Sequence, residues 1–277
     1  MTSIEQRGGI VSTHDRSPKS RSIWERFPEL NKIPKDRFPQ NVFIIPDGNG
    51  RWAAAKKLAL QAGHEKGADV IVEAFRDLSE LSDYIPYAGT WGLSVDNLTR
   101  PREEVDYLIR LFNRTAQRLQ PELIERNNRF IHIGRRDIFD QYPFLGETIE
   151  ETERKTRNNT GQVVYIAIGF NGRDQELRVS QQLATMALEG KIIDPKKDVT
   201  DELLASLKDG GGLIPPADLV IRTSGEQRLS GLGWIAEGSE LYFSKRLFPA
   251  FTTKDFVRAL VDFSKRDRRF GGRPQTV

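Results

Sequence analysis

The chain has 277 residues, of which 38% are hydrophobic and 29% are charged, and its formal net charge is +3. The length favours one globular domain with a sizeable core, and no run reaches the roughly 18 apolar residues of a membrane span. The absence of cysteine excludes disulfides, thiolate metal sites and a cysteine nucleophile, and the small basic excess argues against nucleic-acid binding.

The N-terminal part of the chain predicts a tail rather than a folded domain. Residues 1–38 are polar and contain several prolines, with isolated apolar residues at Trp24, Phe27 and Leu30. We therefore expect a tail that ends in a short docking segment. Because the tail lacks the apolar stretch of a signal peptide, we expect a cytoplasmic protein that can associate peripherally with the membrane.

Residues 39–277, the predicted folded domain, show alternating strand and helix patterns. A continuous apolar run at 42–45 is typical of a strand buried on both faces. A helix is predicted from His64 to Ser82 and a strand from Tyr84 to Leu93. Thr99 is a suitable N-cap for a long helix whose apolar residues recur at helical spacing.

The second half of the domain continues this alternation. Leu177 is predicted on the apolar face of one helix, and a capping box at Thr252 and Asp255 starts a last helix that runs to about Arg268. The alternation predicts a single-domain α/β fold with a mostly parallel central sheet flanked by helices, which binds ligands beyond the carboxyl ends of its strands. The predicted strands of this half are 130–133, 163–168, 218–222 and 240–243.

The stretch from Ile44 to Trp52, IIPDGNGRW, combines an apolar strand with a glycine-rich turn. Gly48 and Gly50 let backbone amides approach a phosphate, and Arg51 adds a positive charge. Asp47 would repel that phosphate unless a cation lay between them, and Mg²⁺ favours one or two carboxylates together with substrate phosphates. The motif therefore predicts a site for Mg²⁺ and diphosphate, with a plain strand-to-helix turn as the alternative.

A second motif of the same design lies at 218–230, DLVIRTSGEQRLS. The guanidinium groups of Arg222 and Arg228 and the hydroxyl of Ser230 could clamp a second diphosphate. Read alone, these residues are more typical of charged surface loops. Together with the first motif they favour a site for two diphosphates.

Several spaced motifs resemble the cis-prenyltransferases, the undecaprenyl diphosphate synthase family. The resemblance covers residues 41–272 in the family's order. It implies Mg²⁺-dependent condensation of an allylic prenyl diphosphate with isopentenyl diphosphate, and a homodimer with a hydrophobic tunnel between sheet and helices. A product of this kind can partition into the membrane. The motifs are DGNGRW, Gly63-His64, S-x-x-N-x-x-R-P from Ser94 to Pro101, DLVIRTSGEQRLS, ELYF and RDRRFGG.

The resemblance also implies a role for individual residues. Asp47 is implied to bind Mg²⁺ and to act in catalysis, with Glu240 as a second metal ligand. Asn97 is implied to accept a proton, and the stretch 269–271 to reach the active site of the partner subunit. The remaining residues implied to bind substrate are Gly48, Asn49, Gly50, Arg51, Trp52, His64, Ser94 and Arg100 for the allylic diphosphate, and Arg222, Arg228 and Ser230 for isopentenyl diphosphate.

Some of these residues also have a purely structural interpretation. Ser94 and Asn97 precede a helix and could cap it, and His64 could be a cap or a core residue. Trp52 could serve in packing.

Four features depart from the family pattern. Leu60 stands where members carry an arginine on the allylic diphosphate, Leu98 replaces a tryptophan, and Pro46 replaces a methionine. The loop before Glu240 is one residue shorter, so Glu237 is an alternative metal ligand. Losing a charge-assisted contact costs ~1.5 to 3 kcal/mol, so we favour a short-chain or irregular coupling product over a long-chain lipid carrier.

Two functions of other classes stay open. A haloacid-dehalogenase-type phosphatase also begins with a strand that ends in an acid, but it needs Asp-x-Asp, and Asn49 occupies the second position. A non-catalytic subunit of a heteromeric prenyltransferase would keep the fold while losing active-site residues. Asp47, Arg51 and Asn97 argue against that interpretation.

Overall fold

The computed structural model describes residues 21–269 and 271–272. Residues 1–20 of the predicted N-terminal tail, Phe270 and residues 273–277 lie outside the described residues. Six strands form one sheet in which every neighbouring pair is parallel, in the order β3-β4-β2-β1-β5-β6. This confirms the predicted single-domain α/β fold. The strands are β1 Asn41–Ile45, β2 Tyr87–Ser94, β3 Arg129–Ile133, β4 Val163–Phe170, β5 Leu219–Arg222 and β6 Glu240–Phe243.

Helices cover the sheet and enclose two apolar clusters. The larger cluster joins β1 and β2 to the long helices, and the smaller one lies on the opposite face around Phe43, Tyr165 and Phe170. In the described residues, no helix is both long and apolar enough to cross a membrane. The helices are α1 Ile23–Arg26, α2 Asn49–Ala55, α3 Leu60–Ser79, α4 Arg102–Glu125, α5 Ile138–Gln141, α6 Pro143–Thr156, α7 Gly172–Leu188, α8 Pro195–Asp198, α9 Asp201–Leu207 and α10 Thr253–Phe263.

The position of β1 in the middle of the sheet determines which loops meet. It lies between β2 and β5, with Ile44 opposite Thr90 and Ile45 opposite Arg222. Because parallel strands end at the same edge, the loops that follow β1, β2 and β5 leave the sheet side by side.

The boundaries of three helices differ from the sequence prediction. Helix α3 spans Leu60–Ser79 rather than His64–Ser82, and α10 ends at Phe263 rather than near Arg268. Thr99 does not cap α4: its hydroxyl donates to the carbonyl of Asp96 at 2.8 Å. The N-cap position belongs to Pro101, which has no side-chain donor or acceptor. The capping box of α10 at Thr252 is confirmed.

The buried face of α7 was predicted wrongly. Leu177 is 58% exposed, whereas the buried residues of this helix are Gly172, Gln175 and Val179. Gln175 accepts a hydrogen bond from the indole of Trp234, and Gly172 packs closely against the neighbouring loop. The buried face of α7 is defined by a closely packed glycine and a hydrogen-bonded glutamine. A pattern of hydrophobic residues alone could therefore not identify this face.

The docking segment belongs to the same core as the sheet. Ile23 and Leu30 are fully buried in the larger cluster, and the backbone amide of Ile23 donates to the carboxylate of Glu80 at 2.6 Å. Arg26 forms an ion pair with Asp77, which is itself buried. The segment that precedes β1 therefore contributes to the stability of the domain.

Replacing Leu30 by alanine tests this contribution. Because Leu30 is fully buried, Leu30→Ala should lower the free energy of unfolding by about 2 to 5 kcal/mol. Leu58, which is 49% exposed, provides the control, and Leu58→Ala should change the stability by less than about 1 kcal/mol. Urea unfolding followed by circular dichroism measures both. Equal stabilities of the two variants would contradict the packing of this segment.

Candidate active site

The loop after β1 turns sharply into α2. Gly48 is the N-cap of α2 and has φ +102°, a left-handed conformation that favours glycine. A Cβ atom at this position would also lie 2.8 Å from the Cδ2 atom of Leu247. The turn places Asp47 beyond the end of the strand and directs the start of α2 toward the carboxyl edge of the sheet.

The backbone of Asp47 is held by the neighbouring loop. Its amide donates to the Oγ1 atom of Thr223 at 2.9 Å, and Thr223 donates in turn to the Asp47 carbonyl at 2.7 Å. The same carbonyl accepts from the amide of Phe248 at 3.0 Å. These bonds join the loops after β1 and β5 into one rigid unit.

The Asp47 carboxylate lies between two guanidinium groups. Arg222 donates to Oδ2 at 2.8 Å, and Arg51 donates to Oδ1 at 3.1 Å. Burial raises the pKa of Asp47, but hydrogen bonds from Arg222 and Ser224 and the charges of Arg222 and Arg51 outweigh it, so the pKa lies below its usual value. The carboxylate is therefore ionised at neutral pH.

The end of β5 and the loop that follows it bring Arg222 and Arg228 to the same place. The guanidinium of Arg222 is nearly buried, and its Nη1 atom donates to the Oγ atom of Ser230 at 2.8 Å and to the carbonyl of Arg228. Glu226 forms ion pairs with both Arg51, at 3.2 Å, and Arg228. One carboxylate thus links an arginine of the first motif to an arginine of the second.

Sequence analysis did not identify Glu226 or Ser224 as part of this site. The Oγ atom of Ser224 accepts from Arg51 at 2.8 Å, and its backbone has φ +76°. Both residues lie between the two arginines of the second motif in the sequence, and this position could have indicated that they are close to the site. Their contact with Arg51 depends on the pairing of β1 with β5, which the sequence does not reveal.

The loop after β2 forms the third wall. The amide of Ser94 donates to Oδ1 of Asn97 at 3.2 Å, and the amide of Asn97 donates to Oγ of Ser94 at 3.1 Å. This reciprocal pair supports the local turn, as the structural interpretation predicted, yet both residues also line the cavity described below. Arg100 forms an ion pair with Glu104 at 2.9 Å.

His64 lies one turn into α3, on the side that faces Arg100. Burial lowers the pKa of His64, the charge of Arg100 lowers it further, and Glu104 acts in the opposite direction. The neutral imidazole is therefore the dominant form at neutral pH, and His64 adds a polar but uncharged group to the site.

The three loops surround a cavity of about 660 Å³. Its polar end carries the predicted diphosphate-binding residues, and its apolar end extends between the sheet and helices α3, α4 and α6. The predicted site residues that line it are Asp47, Gly48, Asn49, Gly50, Arg51, His64, Ser94, Asn97, Arg100, Arg222, Arg228 and Ser230. The apolar end is formed by Ala68, Ile71, Leu108, Leu111, Phe112, Ala116, Ile149, Ile166, Ile168 and Phe248.

Two predicted site residues do not line this cavity. Trp52 follows Arg51 on α2, and the helical turn between successive residues directs it elsewhere, where it is half-buried. Glu240 opens β6 opposite Leu219, three residues before the position opposite Arg222, which is about 10 Å along a strand. It forms an ion pair with Arg266 at 2.9 Å. The role of Glu240 as a second metal ligand therefore stays a prediction from the resemblance, and Asp47 is the one of the two predicted ligands that lines the cavity.

The donor set at Asp47 suits a metal that is bound mainly by substrate. Among the described residues, no group of three or more acidic, histidine or cysteine side chains could hold a metal ion. Mg²⁺ does not need such a cage, because one carboxylate, substrate phosphates and water complete its octahedral shell. The ionised and partly exposed Asp47 fits this type of site.

Comparison with known proteins identifies the family. The family model described as "Putative undecaprenyl diphosphate synthase" matches residues 45–271. The isoprenyl transferase of Thermotoga maritima is 38% identical to this chain over 238 residues, which cover 85% of this chain and 98% of that protein. The isoprenyl transferase of Aquifex pyrophilus is 38% identical over 237 residues, which cover 85% of this chain and 96% of that protein.

A solved structure supports the same relationship. Lavandulyl diphosphate synthase from Lavandula x intermedia, in complex with dimethylallyl diphosphate, superposes with a TM-score of 0.77 at 28% identity, and the match covers 85% of this chain and 99% of that one. The chain belongs to the undecaprenyl diphosphate synthase family and is a prenyltransferase.

Proposed function

We propose that this enzyme condenses an allylic prenyl diphosphate with isopentenyl diphosphate, or with a second allylic diphosphate in an irregular coupling, and releases diphosphate, with Mg²⁺ as its cofactor. One observation supports the proposal: two cationic loops meet at Asp47, which lies at the polar end of a cavity whose other end is apolar. Paired anion sites suit two diphosphate head groups, and the apolar cavity suits hydrocarbon chains. The phosphatase alternative explains neither the second cationic loop nor the apolar cavity.

The allylic diphosphate is proposed to bind at the start of α2. The loop at 48–50 offers backbone amides, and Arg51 adds a guanidinium group that can bind two phosphate oxygens. As the allylic C–O bond breaks, negative charge grows on the departing diphosphate and positive charge on the prenyl carbon. Arg51, the amides and Mg²⁺ held by Asp47 would stabilise the departing diphosphate.

The second prenyl diphosphate is proposed to bind at Arg228 and Ser230, with Arg222 between the two head groups. Arg222 already contacts both Asp47 and Ser230, so it would interact with either diphosphate. Asn97 stays the proposed proton acceptor, because its Oδ1 atom uses only one lone pair for the Ser94 amide. The growing chain would enter the apolar cavity, where each buried CH₂ group contributes about 0.8 kcal/mol.

For the product we favour a short or irregular coupling over a long-chain polyprenyl diphosphate. Leu60 lines the polar end of the cavity beside Gly50 and contributes no charge to the allylic site. The cavity volume lies within the range of pockets that hold one small molecule. The similarity to a synthase that binds dimethylallyl diphosphate also supports this choice.

The quaternary structure and location are part of the same proposal. We propose a homodimer, supported by exposed apolar residues such as Leu177, Leu188 and Ile193 on and beside α7. Light scattering at assay concentration tests it, and a fully active monomer would contradict it. We further propose a cytoplasmic enzyme that approaches the membrane when its product partitions there.

The Asp47 assignment is tested by Asp47→Asn. This change keeps a hydrogen-bond acceptor for the nearly buried Arg222, whereas alanine would leave that charge unpaired at a cost of roughly 3 to 5 kcal/mol. We expect Mg²⁺-dependent turnover to fall by about a hundredfold or more, while the circular dichroism spectrum stays unchanged. Asp83→Asn, an exposed aspartate after α3, serves as the control. Most of the turnover surviving in Asp47→Asn would refute the metal role.

The product assignment is tested by Leu60→Arg. An arginine at this position adds a cation at the polar end of the cavity, so we expect a tenfold or larger change in the relative kcat/KM for allylic diphosphates of different length. The control is Leu58→Arg, an exposed leucine that does not line the cavity. Assays with radiolabelled isopentenyl diphosphate and, separately, with radiolabelled dimethylallyl diphosphate, followed by chromatography, identify the products. A dominant product of about 50 to 55 carbons, or roughly 10 to 11 five-carbon units, would overturn the choice of a short or irregular coupling.

A further inference from the structure

A second cavity lies at the edge of the sheet formed by β3. Its volume is about 510 Å³, and it follows the edge strand β3 between α6, α7 and the loop after α9. Four arginines and two carboxylates line it, which leaves an excess of two positive charges. The charged residues are Arg129, Arg136, Arg157, Arg178, Glu153 and Asp209.

Both carboxylates of this cavity are already neutralised. Glu153 accepts two hydrogen bonds from Arg136, at 2.9 and 2.6 Å, and another from the backbone amide of His132 at 2.9 Å. Asp209 accepts two hydrogen bonds from Arg178, at 2.9 and 2.8 Å. The positive excess therefore resides on the remaining two arginines.

Arg129 and Arg157 are those two arginines. Neither forms an ion pair with a carboxylate among the described residues, and both line the cavity. Arg129 opens β3 and is half-buried, whereas Arg157 follows α6 and is exposed. Two guanidinium groups that face one recess and lack a protein partner suit an anion with several oxygens.

His132 adds a buried acceptor to the lining. It is 97% buried, its Nε2 atom bonds to the carbonyl of Ile168 at 2.9 Å, and its Nδ1 atom has no partner. A carbonyl can only accept, so Nε2 carries the proton and Nδ1 is an acceptor. Burial lowers the pKa of His132 to about 4, so the ring is neutral. His132 therefore leaves the charge of the recess unchanged.

An extended peptide is a poorer occupant for the same recess. Addition of a strand to β3 requires its outward amides, but those of Phe130 and His132 already donate to Thr156, at 3.0 Å, and to Glu153. The side chains of α6 therefore block the edge of the sheet against strand addition.

We propose that this recess is a second binding site, for a small phosphate-bearing molecule held by Arg129 and Arg157. Helix α6 connects it with the candidate active site, since Ile149 lines the larger cavity and Glu153 lines the second one. The proposal does not depend on the reaction that the first site catalyses.

Equilibrium dialysis with radiolabelled inorganic diphosphate, without Mg²⁺, tests the proposal. The starting protein is Arg51→Gln/Arg228→Gln, which weakens binding at the candidate active site. We expect it to retain one diphosphate site, and we expect the further changes Arg129→Gln and Arg157→Gln to weaken that site at least tenfold.

The control has the same loss of charge outside the recess. Arg126 and Arg154 are exposed, each lies three residues before a recess arginine, and neither lines the cavity. Arg126→Gln/Arg154→Gln in the same starting protein should change the affinity by less than about twofold. The proposal is overturned if the starting protein binds no diphosphate, if the recess variant binds as well as its parent, or if the control weakens binding equally.

Vesicle sedimentation distinguishes two sources of the phosphate. Full-length protein is mixed with vesicles of phosphatidic acid and phosphatidylcholine, or of phosphatidylcholine alone. Sedimentation that requires phosphatidic acid and is lost in Arg129→Gln/Arg157→Gln supports the site with a lipid head group as ligand. If dialysis detects binding at the recess and the variant and its parent sediment equally with vesicles, the results support the site with a soluble phosphate-bearing ligand.

Discussion

The nearly buried guanidinium of Arg222 is the group on which the candidate active site depends. Its side chain is 5% exposed, and burying a charge costs several kcal/mol unless that charge is paired and hydrogen-bonded. Asp47 on one side and Ser230 on the other supply these partners. The charge therefore fixes the loops after β1 and β5 against each other, at the point where the parallel strands end.

The same constraint explains why an acid can belong to an anion-binding site. Asp47 is shared between Arg222 and Arg51, and Glu226 is shared between Arg51 and Arg228. Three guanidinium groups thus meet two carboxylates, so a positive excess remains for a phosphate. A cation bound to Asp47 would increase this excess, because it would neutralise the remaining negative charge nearest to the loop at 48–50.

Close packing of α3 completes the arrangement. A Cβ atom at Gly63 would lie 2.2 Å from the backbone oxygen of Asn49, and one at Gly67 would lie 2.3 Å from its Oδ1 atom. Only glycine lets α3 approach the start of α2 this closely. Side chains at both positions would push α3 away and displace His64 and Leu60, which both line the cavity.

Local sequence patterns predicted the structural features that depend on neighbouring residues. They failed for features that depend on contacts between residues distant in sequence. The six strands and the capping box of α10 were predictable, because apolar runs and the pair Thr252 and Asp255 are local signals. The exposed Leu177 was not, because the contact with Trp234 selects the buried face of α7. Most predicted site residues line one cavity, but Glu240 does not, because the register of β6 places it away from Asp47.

In the proposed function, the residue that governs product choice is separate from the residues that bind diphosphate. The arginines, Asp47 and Ser230 would hold the head groups through charge and hydrogen bonds, which are the same for every prenyl length. Leu60 instead contacts the first turn of α2, where a Cβ atom at Gly50 would lie 3.0 Å from its Cδ1 atom. Its hydrocarbon would therefore lie between the head group and the prenyl chain. Because a pocket change of this kind shifts substrate preference by ~1 to 3 kcal/mol, one such residue can redirect the product while the cationic clamp stays intact.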